Sequence, residues 1–386
     1  MVGARAWRDL AVGADVSVSL SMDKGAERTA LKADFLAQAG LGGATLTAIP
    51  GDASTRSYAR LTGKAGEPLI LMDAPPAAES KPAGPDASPA ERRAMGYNAM
   101  ARLAACRVDA FAGAAAFLRS RGLSAPKVLA IDVDQGFALI EDLGDGLFAR
   151  LIEQGAAPAP FYETAVDLLI GLHAEPPPAE LAFEGGAWPL LPYDDLALDT
   201  GLGLFFEWLP KYAKRPAFSD EALAEWRALW TPVRTAGDRG AEVFAHRDYH
   251  AENLLWLGDR QGLARVGLLD FQDAVRAHRA WDLLSLLQDA RREVAPELED
   301  AMLARYLAAH PGLDRDAFLQ DYAGLAALNN ARIIGIFTRQ IAGFGKPRYE
   351  AFMPRMWRLV RRNLSQPGME GLKAWFARHV GEEAMA

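Results

Sequence analysis

The strongest constraint on this chain is an aspartate, an asparagine five residues later, and a second aspartate closing an apolar run. Asp248 and Asn253 lie in HRDYHAEN (246–253), and Asp270 follows VGLL in VGLLDFQD (266–273). The segments NLLWL and VGLLD are β-prone and flank the turn sequence GDRQG. They predict a hairpin that carries Asn253 and Asp270 to the same place.

Three hard-oxygen side chains in that order suit transfer of a phosphate to a hydroxyl. Such a transfer needs a positioned metal, an oriented nucleophile and neutralised charge. Magnesium accepts one carboxylate and one amide oxygen from a protein and completes its octahedron with phosphate and water. Asn253 and Asp270 are the candidate magnesium ligands, and Asp248 is the candidate base that orients the hydroxyl. The spacing is that of the catalytic loop H-R-D-x-x-x-x-N followed by a metal-binding Asp. Asp273 reads as a support for the metal loop, and Gln272 stands where protein kinases carry glycine. Asp282, opening the helix WDLLSLL, reads as a cap or a brace for the catalytic loop.

The 386 residues are enough for two lobes. A net charge of −8 argues against bulk attraction to nucleic acid or an anionic membrane. No uncharged apolar run is long enough to suggest a transmembrane helix. The single cysteine, Cys106, excludes an internal disulfide and a cysteine-rich zinc site, and fits a reducing, cytoplasmic setting. It reads as a buried structural thiol.

Residues 1–21 read as a disordered extension, with a first amphipathic helix from Met22 that carries Leu31, Phe35 and Leu36 on one face. Residues 22–142 then form a small, β-rich, nucleotide-binding lobe. Its strands are TLTAI, SYARL, PLILM, KVLAID and GFALIEDL, with a proline-rich loop at 75–90 and a helix near 107–121. Residues 143–386 form a larger, mainly helical lobe with the catalytic loop, the metal site and the acceptor site. Helices are expected at FYETAVDLLIGLHA, at 281–292, at about 316–342 and through the basic run 346–362. That last run presents its arginines to solvent or draws in an anionic substrate. The expected class is α+β, a two-lobed protein-kinase-like fold with an antiparallel N-lobe sheet.

The chain resembles the aminoglycoside phosphotransferase/choline kinase-like superfamily, including the histidine before the asparagine, His250. More narrowly it is similar to the bacterial anomeric N-acetylmuramate/N-acetylglucosamine kinases. The likeness is carried by GDASTRSYARL (51–61), LILMDAPP (69–76), ALIEDLGD (138–145), LPYDDLALDTGLGLFFEWLP (191–210), the two motifs above, and ARIIGIFTRQIAGFGKPRY (331–349). The resemblance implies ATP and Mg2+ as cofactors, a small amino-sugar acceptor phosphorylated at C1, and a place in peptidoglycan recycling. It implies no nucleic acid, membrane or obligate protein partner. An aminoglycoside or amino-alcohol kinase is the alternative. A nucleotide-binding pseudokinase is a second, but it has no need of Asp248.

The sequence departs from the wider kinase pattern on the third strand. PLILMDAP puts Met72 where a lysine contacts the phosphates, and the following helix lacks the partner glutamate. Arg56, with Arg60 behind it, is the expected replacement, and Ser54 and Thr55 of the same turn are candidate phosphate contacts. LIEDLG reads as the hinge, where the backbone of Glu141 and Leu143 would hold adenine. For the sugar, carboxylates and aromatic faces are needed. Glu207 and Trp208 are the leading candidates, then Tyr193, Asp194 and His250.

Overall fold

The structure is a computed structural model that describes residues 18–50 and 55–381. Helix α1 (Val18–Gln38) begins before Met22, so its first turn takes in part of the expected extension. Residues 1–17 and Ser54 lie outside the described residues.

Five strands form the N-lobe sheet: β1 (Thr47–Ile49), β2 (Ser57–Thr62), β3 (Pro68–Asp73), β4 (Val128–Asp132) and β5 (Phe137–Glu141). Their order is β1-β2-β3-β5-β4, antiparallel throughout. The two-residue period of a strand sends alternate side chains to opposite faces. Leu69, Leu71, Phe137 and Leu139 pack with Phe35 and Leu36 of α1 in a small core. Met72, Ala138 and Ile140 face the other way, into the main core. Three helices lie between β3 and β4: α2 (Pro89–Met95), α3 (Tyr97–Met100) and α4 (Val108–Ser120). Ser88 and Glu91 form a reciprocal capping box at the start of α2. Phe111, Ala114, Ala115 and Leu118 of α4 join the main core.

After β5 the chain is mostly helical. It runs through α5 (Phe148–Glu153), α6 (Ala159–Leu172), the hairpin β6 (Glu180–Phe183) and β7 (Gly186–Pro189), α7 (Asp195–Tyr212) and α8 (Asp220–Arg239). Four short strands follow: β8 (Val243–Ala245), β9 (Leu254–Trp256), β10 (Val266–Leu268) and β11 (Val275–Ala277). Then come α9 (Ala280–Leu287), α10 (Pro296–Ala309), α11 (Arg315–Phe344), α12 (Met353–Asn363) and α13 (Glu370–His379).

The expected hairpin is present, with β9 and β10 antiparallel and Leu254 opposite Leu268. The β6–β7 hairpin was not foreseen. Helix α9 stops at Leu287, short of 292. The Asp289 carboxylate accepts the Arg291 N–H at 2.8 Å, a side-chain turn that competes with helix continuation. The basic run becomes helical only from Met353, after a 3-10 turn at Pro347–Phe352.

Helices α7 and α11 cross at backbone contact. A Cβ placed on Gly335 would lie 2.3 Å from the Phe205 nitrogen, so only glycine allows this approach. Phe205 stacks on Trp226 beside this crossing, their rings 5.0 Å apart. No helix among the described residues is long and apolar enough to cross a membrane.

Candidate active site

A cleft of about 950 Å3 lies between the N-lobe sheet and the helical lobe. Asp248, His250, Asn253 and Asp270 all line it. The residues that bring them together are backbone devices of the β8–β11 region. The Leu269 N–H donates to the Asn253 carbonyl at 3.0 Å, one rung beyond the β9–β10 ladder. The metal-ligand candidates are therefore held by adjacent backbone. Asn253 Nδ2 donates to the Asp248 carbonyl at 2.9 Å, which fixes the amide and leaves Oδ1 as its acceptor end. Asp270 has φ of 60°, left-handed backbone that a non-glycine residue rarely adopts. Its Oδ1 accepts from Gln272 Nε2 at 2.9 Å and from Arg56 Nη2 at 3.0 Å.

Asp282 braces the catalytic loop, as its place in the sequence suggests. Its carboxylate accepts the backbone N–H of His246 at 2.7 Å and of Arg247 at 2.9 Å. All three residues are buried. Burial pushes the Asp282 carboxyl up to about 7, against the pull of those two N–H groups. Arg247 sits at φ of 79° and reaches the carbonyls of Ala101 and Arg102. Burial also lowers His246, to about 4, so its ring is neutral near pH 7. Burial acts to raise the Asp248 carboxyl, but the fields of Arg332, His250 and Arg247 outweigh it and hold it below the ordinary value. Asp248 is thus an anion at neutral pH. Asp273 accepts the Ala104 N–H at 2.7 Å, so it ties the metal loop to the segment before α4, and burial raises its carboxyl.

On the N-lobe side, Met72 is buried in the core and offers no cation to the cleft. Arg56 lines the cleft and reaches Asp270. Burial opposes its charge, while Tyr58, Asp270 and Asp273 reinforce it, and the balance is upward. Arg60 is committed elsewhere, paired with Asp142 and Asp145 at 2.7 Å each beside the hinge. The Thr55 hydroxyl is taken by Glu79, with Cys106 Sγ at 3.1 Å, and Thr55 is not among the cleft-lining residues, whereas Arg56 is. Cys106 is buried. Glu141 and Leu143 line the cleft at the hinge. The Glu141 carboxylate is engaged by Arg260 and Arg119, which leaves only its backbone for a ligand.

Four acceptor candidates lie outside the cleft lining. Tyr193 is buried under the Arg247 guanidinium, 4.6 Å from its ring centre, and edge-on to Trp281. Asp194 caps α7 through the Ala197 N–H and pairs with Arg92 and Arg102. Glu207 pairs with Lys211 at 2.8 Å on the exposed face of α7. Lys211 also covers the Trp208 ring at 3.9 Å. Composition pointed to α7, but its polar residues cap, pair and pack.

The part of the cleft lining contributed by the helical lobe includes the end of α9, one stripe of α11 and Tyr349. Asn329, Arg332, Ile333, Ile336 and Phe337 form that stripe. Their spacing is that of one helical face, a signal present in the sequence although α11 reads there as an ordinary long helix. Glu79 is another cleft residue not anticipated, held by Asn98 at 3.1 Å.

Residues 45–319 match the Phosphotransferase enzyme family, APH. The chain belongs to this family. A relative from Caulobacter vibrioides named N-acetylmuramate/N-acetylglucosamine kinase is 55% identical over 94% of this chain and 99% of its own. One from Pseudomonas aeruginosa with the same name is 29% identical over 82% of this chain and 83% of its own. Among solved structures, a Plasmodium vivax ethanolamine kinase is 12% identical, with a TM-score of 0.49 over 89% of this chain and 85% of its own. The two-lobed α+β architecture of this phosphotransferase is that of kinase-like folds.

Proposed function

We infer that this phosphotransferase is an ATP- and magnesium-dependent kinase of N-acetylmuramate and N-acetylglucosamine, acting at the C1 hydroxyl in cytoplasmic cell-wall sugar recycling. The observation that carries the reading is the convergence of Asp248, Asn253 and Asp270 on one cleft. The names of the relatives support the choice of sugar.

The donor set fits magnesium. Asn253 has its nitrogen committed and its oxygen available, and Asp270 presents a carboxylate from the adjoining strand end. Among the described residues no group of three or more His, Cys, Asp and Glu could hold a metal unaided. Asn253 and Asp270 would therefore share the ion with phosphate oxygens. When bound, magnesium supplies charge neutralisation on the phosphates.

The hinge backbone at Glu141 and Leu143 receives the base, and Arg56 stands in for the missing third-strand lysine. Asp248 accepts a hydrogen bond from the sugar C1 hydroxyl, orients it in line with the γ-phosphorus and takes its proton as the new P–O bond forms. The leaving group is ADP. His250, beside Asn253, lines the same cleft and borders the acceptor. Arg332 in the cleft lining disfavours the polycationic drug of the alternative reading.

Phosphorus NMR tests this directly. The purified protein with ATP, magnesium and each sugar is expected to give a sugar 1-phosphate resonance. Asp248→Asn is expected to lose about three orders of magnitude in turnover while still binding nucleotide. Phosphate appearing on an aminoglycoside or choline, and on neither sugar, would overturn the acceptor.

A further inference from the structure

Beyond its field on Asp248, Arg332 has hydrogen-bond donors that phosphate transfer to a neutral sugar does not use. It belongs to the cleft-lining stripe of α11. Its stem passes over Gly201 of α7, where an added Cβ would lie 3.0 Å from Arg332 Cδ. A side chain on Gly201 would crowd that stem. Its Nη1 donates to Asn329 Oδ1 at 2.9 Å, which orients the guanidinium without neutralising it.

Two other enclosed arginines, Arg234 and Arg92, are neutralised by carboxylates, whereas the buried Arg247 is spent on the carbonyls of Ala101 and Arg102. Arg234 meets Asp195 and Asp199. Arg92, which reaches in from α2, meets Asp194. Arg332 has no carboxylate within the 4.0 Å of an ion pair among the described residues, although the field of Asp248 reaches it. A part-buried cation facing a cleft and satisfied by one neutral oxygen has donors to spare for an anion. The phosphates are already provided for by Arg56 and the metal ligands. The anion that fits Arg332 is a carboxylate on the acceptor itself.

We propose that Arg332, oriented by Asn329, is the specificity-determining residue that receives the lactyl carboxylate of an N-acetylmuramate-type acceptor. The inference rests on the sugar kinase reading above. It separates the two sugars of that reading: the acidic one makes a charge-assisted contact with Arg332, and the neutral one leaves Arg332 facing water. Three arginines of the basic run at 346–362 are committed elsewhere. Arg355 and Arg358 pair with Glu293, and Arg362 pairs with Glu299.

The test compares N-acetylmuramate, its methyl ester and N-acetylglucosamine at pH 8. The ester removes the ligand's charge and leaves the protein untouched. The wild-type protein is expected to show kcat/KM about 10- to 100-fold higher for the acid than for the ester, mostly through KM, as for one charge-assisted hydrogen bond. Arg332→Gln is expected to erase that ratio, and Arg332→Lys to restore part of it. Any effect of Arg332 on Asp248 lowers turnover of all three sugars together and cancels in the ratio. Equal kcat/KM for acid and ester in the wild-type protein overturns the assignment and leaves the kinase standing. So does a ratio that survives in Arg332→Gln. Failure of the wild-type protein to phosphorylate any of the three removes the kinase reading itself, and the assignment with it.

Discussion

Replacing Asp282 by alanine would take both acceptors from the backbone N–H groups of His246 and Arg247. Both donors are buried, so water cannot replace the lost partner. An orphaned buried donor costs roughly 1–3 kcal/mol, which puts the loss at roughly 2–6 kcal/mol for the pair. Asparagine keeps one carbonyl oxygen and should cost about half as much. The brace also holds Arg247 at its left-handed φ, one residue before Asp248. Both variants should therefore lose turnover beyond what their fraction folded explains, because a small displacement of the base is costly.

The pH dependence carries a sign. The Asp282 carboxyl rises from an ordinary 3.8 to about 7 in the folded chain, because burial disfavours its charge. The folded state holds that proton more tightly than the unfolded state does. Stability from this group is fully present below about 3.8 and is lost as pH rises through about 7. Asparagine does not titrate. The stability gap between wild type and Asp282→Asn should narrow from pH 5 to pH 8 in urea melts followed by tryptophan fluorescence. A gap that widens with pH, or an alanine variant as stable and active as wild type, would refute the brace.

Two further expectations rest on separate parts of the structure. Arg56→Ala should raise KM for ATP about 10- to 100-fold, the worth of one charge-assisted phosphate contact; an unchanged KM in steady-state kinetics would remove Arg56 from the nucleotide site. Gly335→Ala should destabilise by about 1–3 kcal/mol or more in chemical denaturation, since its methyl meets the backbone of α7 at 2.3 Å. An unshifted midpoint would mean that the two helices do not cross this closely.

The parts of the site legible in the sequence were those fixed by local chain geometry. The interval between Asp248 and Asn253 is one loop, and Asn253 reaches Asp270 through one hairpin, so spacing and strand pattern sufficed. The five N-lobe strands were legible as short β-prone runs between turn signals, and β3 and β5 alternate between two cores. The α11 part of the cleft lining was not legible, because it depends on which face of a helix meets the cleft. Tyr193, Asp194, Glu207 and Trp208 have the right chemistry for a sugar, but none of them is in the cleft lining. Arg332 carries no local signal except its place in a stripe with Asn329, Ile333, Ile336 and Phe337. The packing of α11 against α7, α8, α9 and α12 decides which of its faces meets the cleft. The shortened α9 has a similar origin, in the side-chain turn of Asp289.

Met72 has a consequence for how such a protein can be switched off. Kinases with a lysine on the third strand can be silenced by acetylating that amine, or by nucleotide analogues whose electrophile captures it. Here β3 carries in that place a thioether sealed inside the core. The cleft cation on this side is a guanidinium, Arg56, which neither acetyl donors nor amine-directed electrophiles attack readily. Reagents that strip a cell of lysine-dependent kinases would pass over this one.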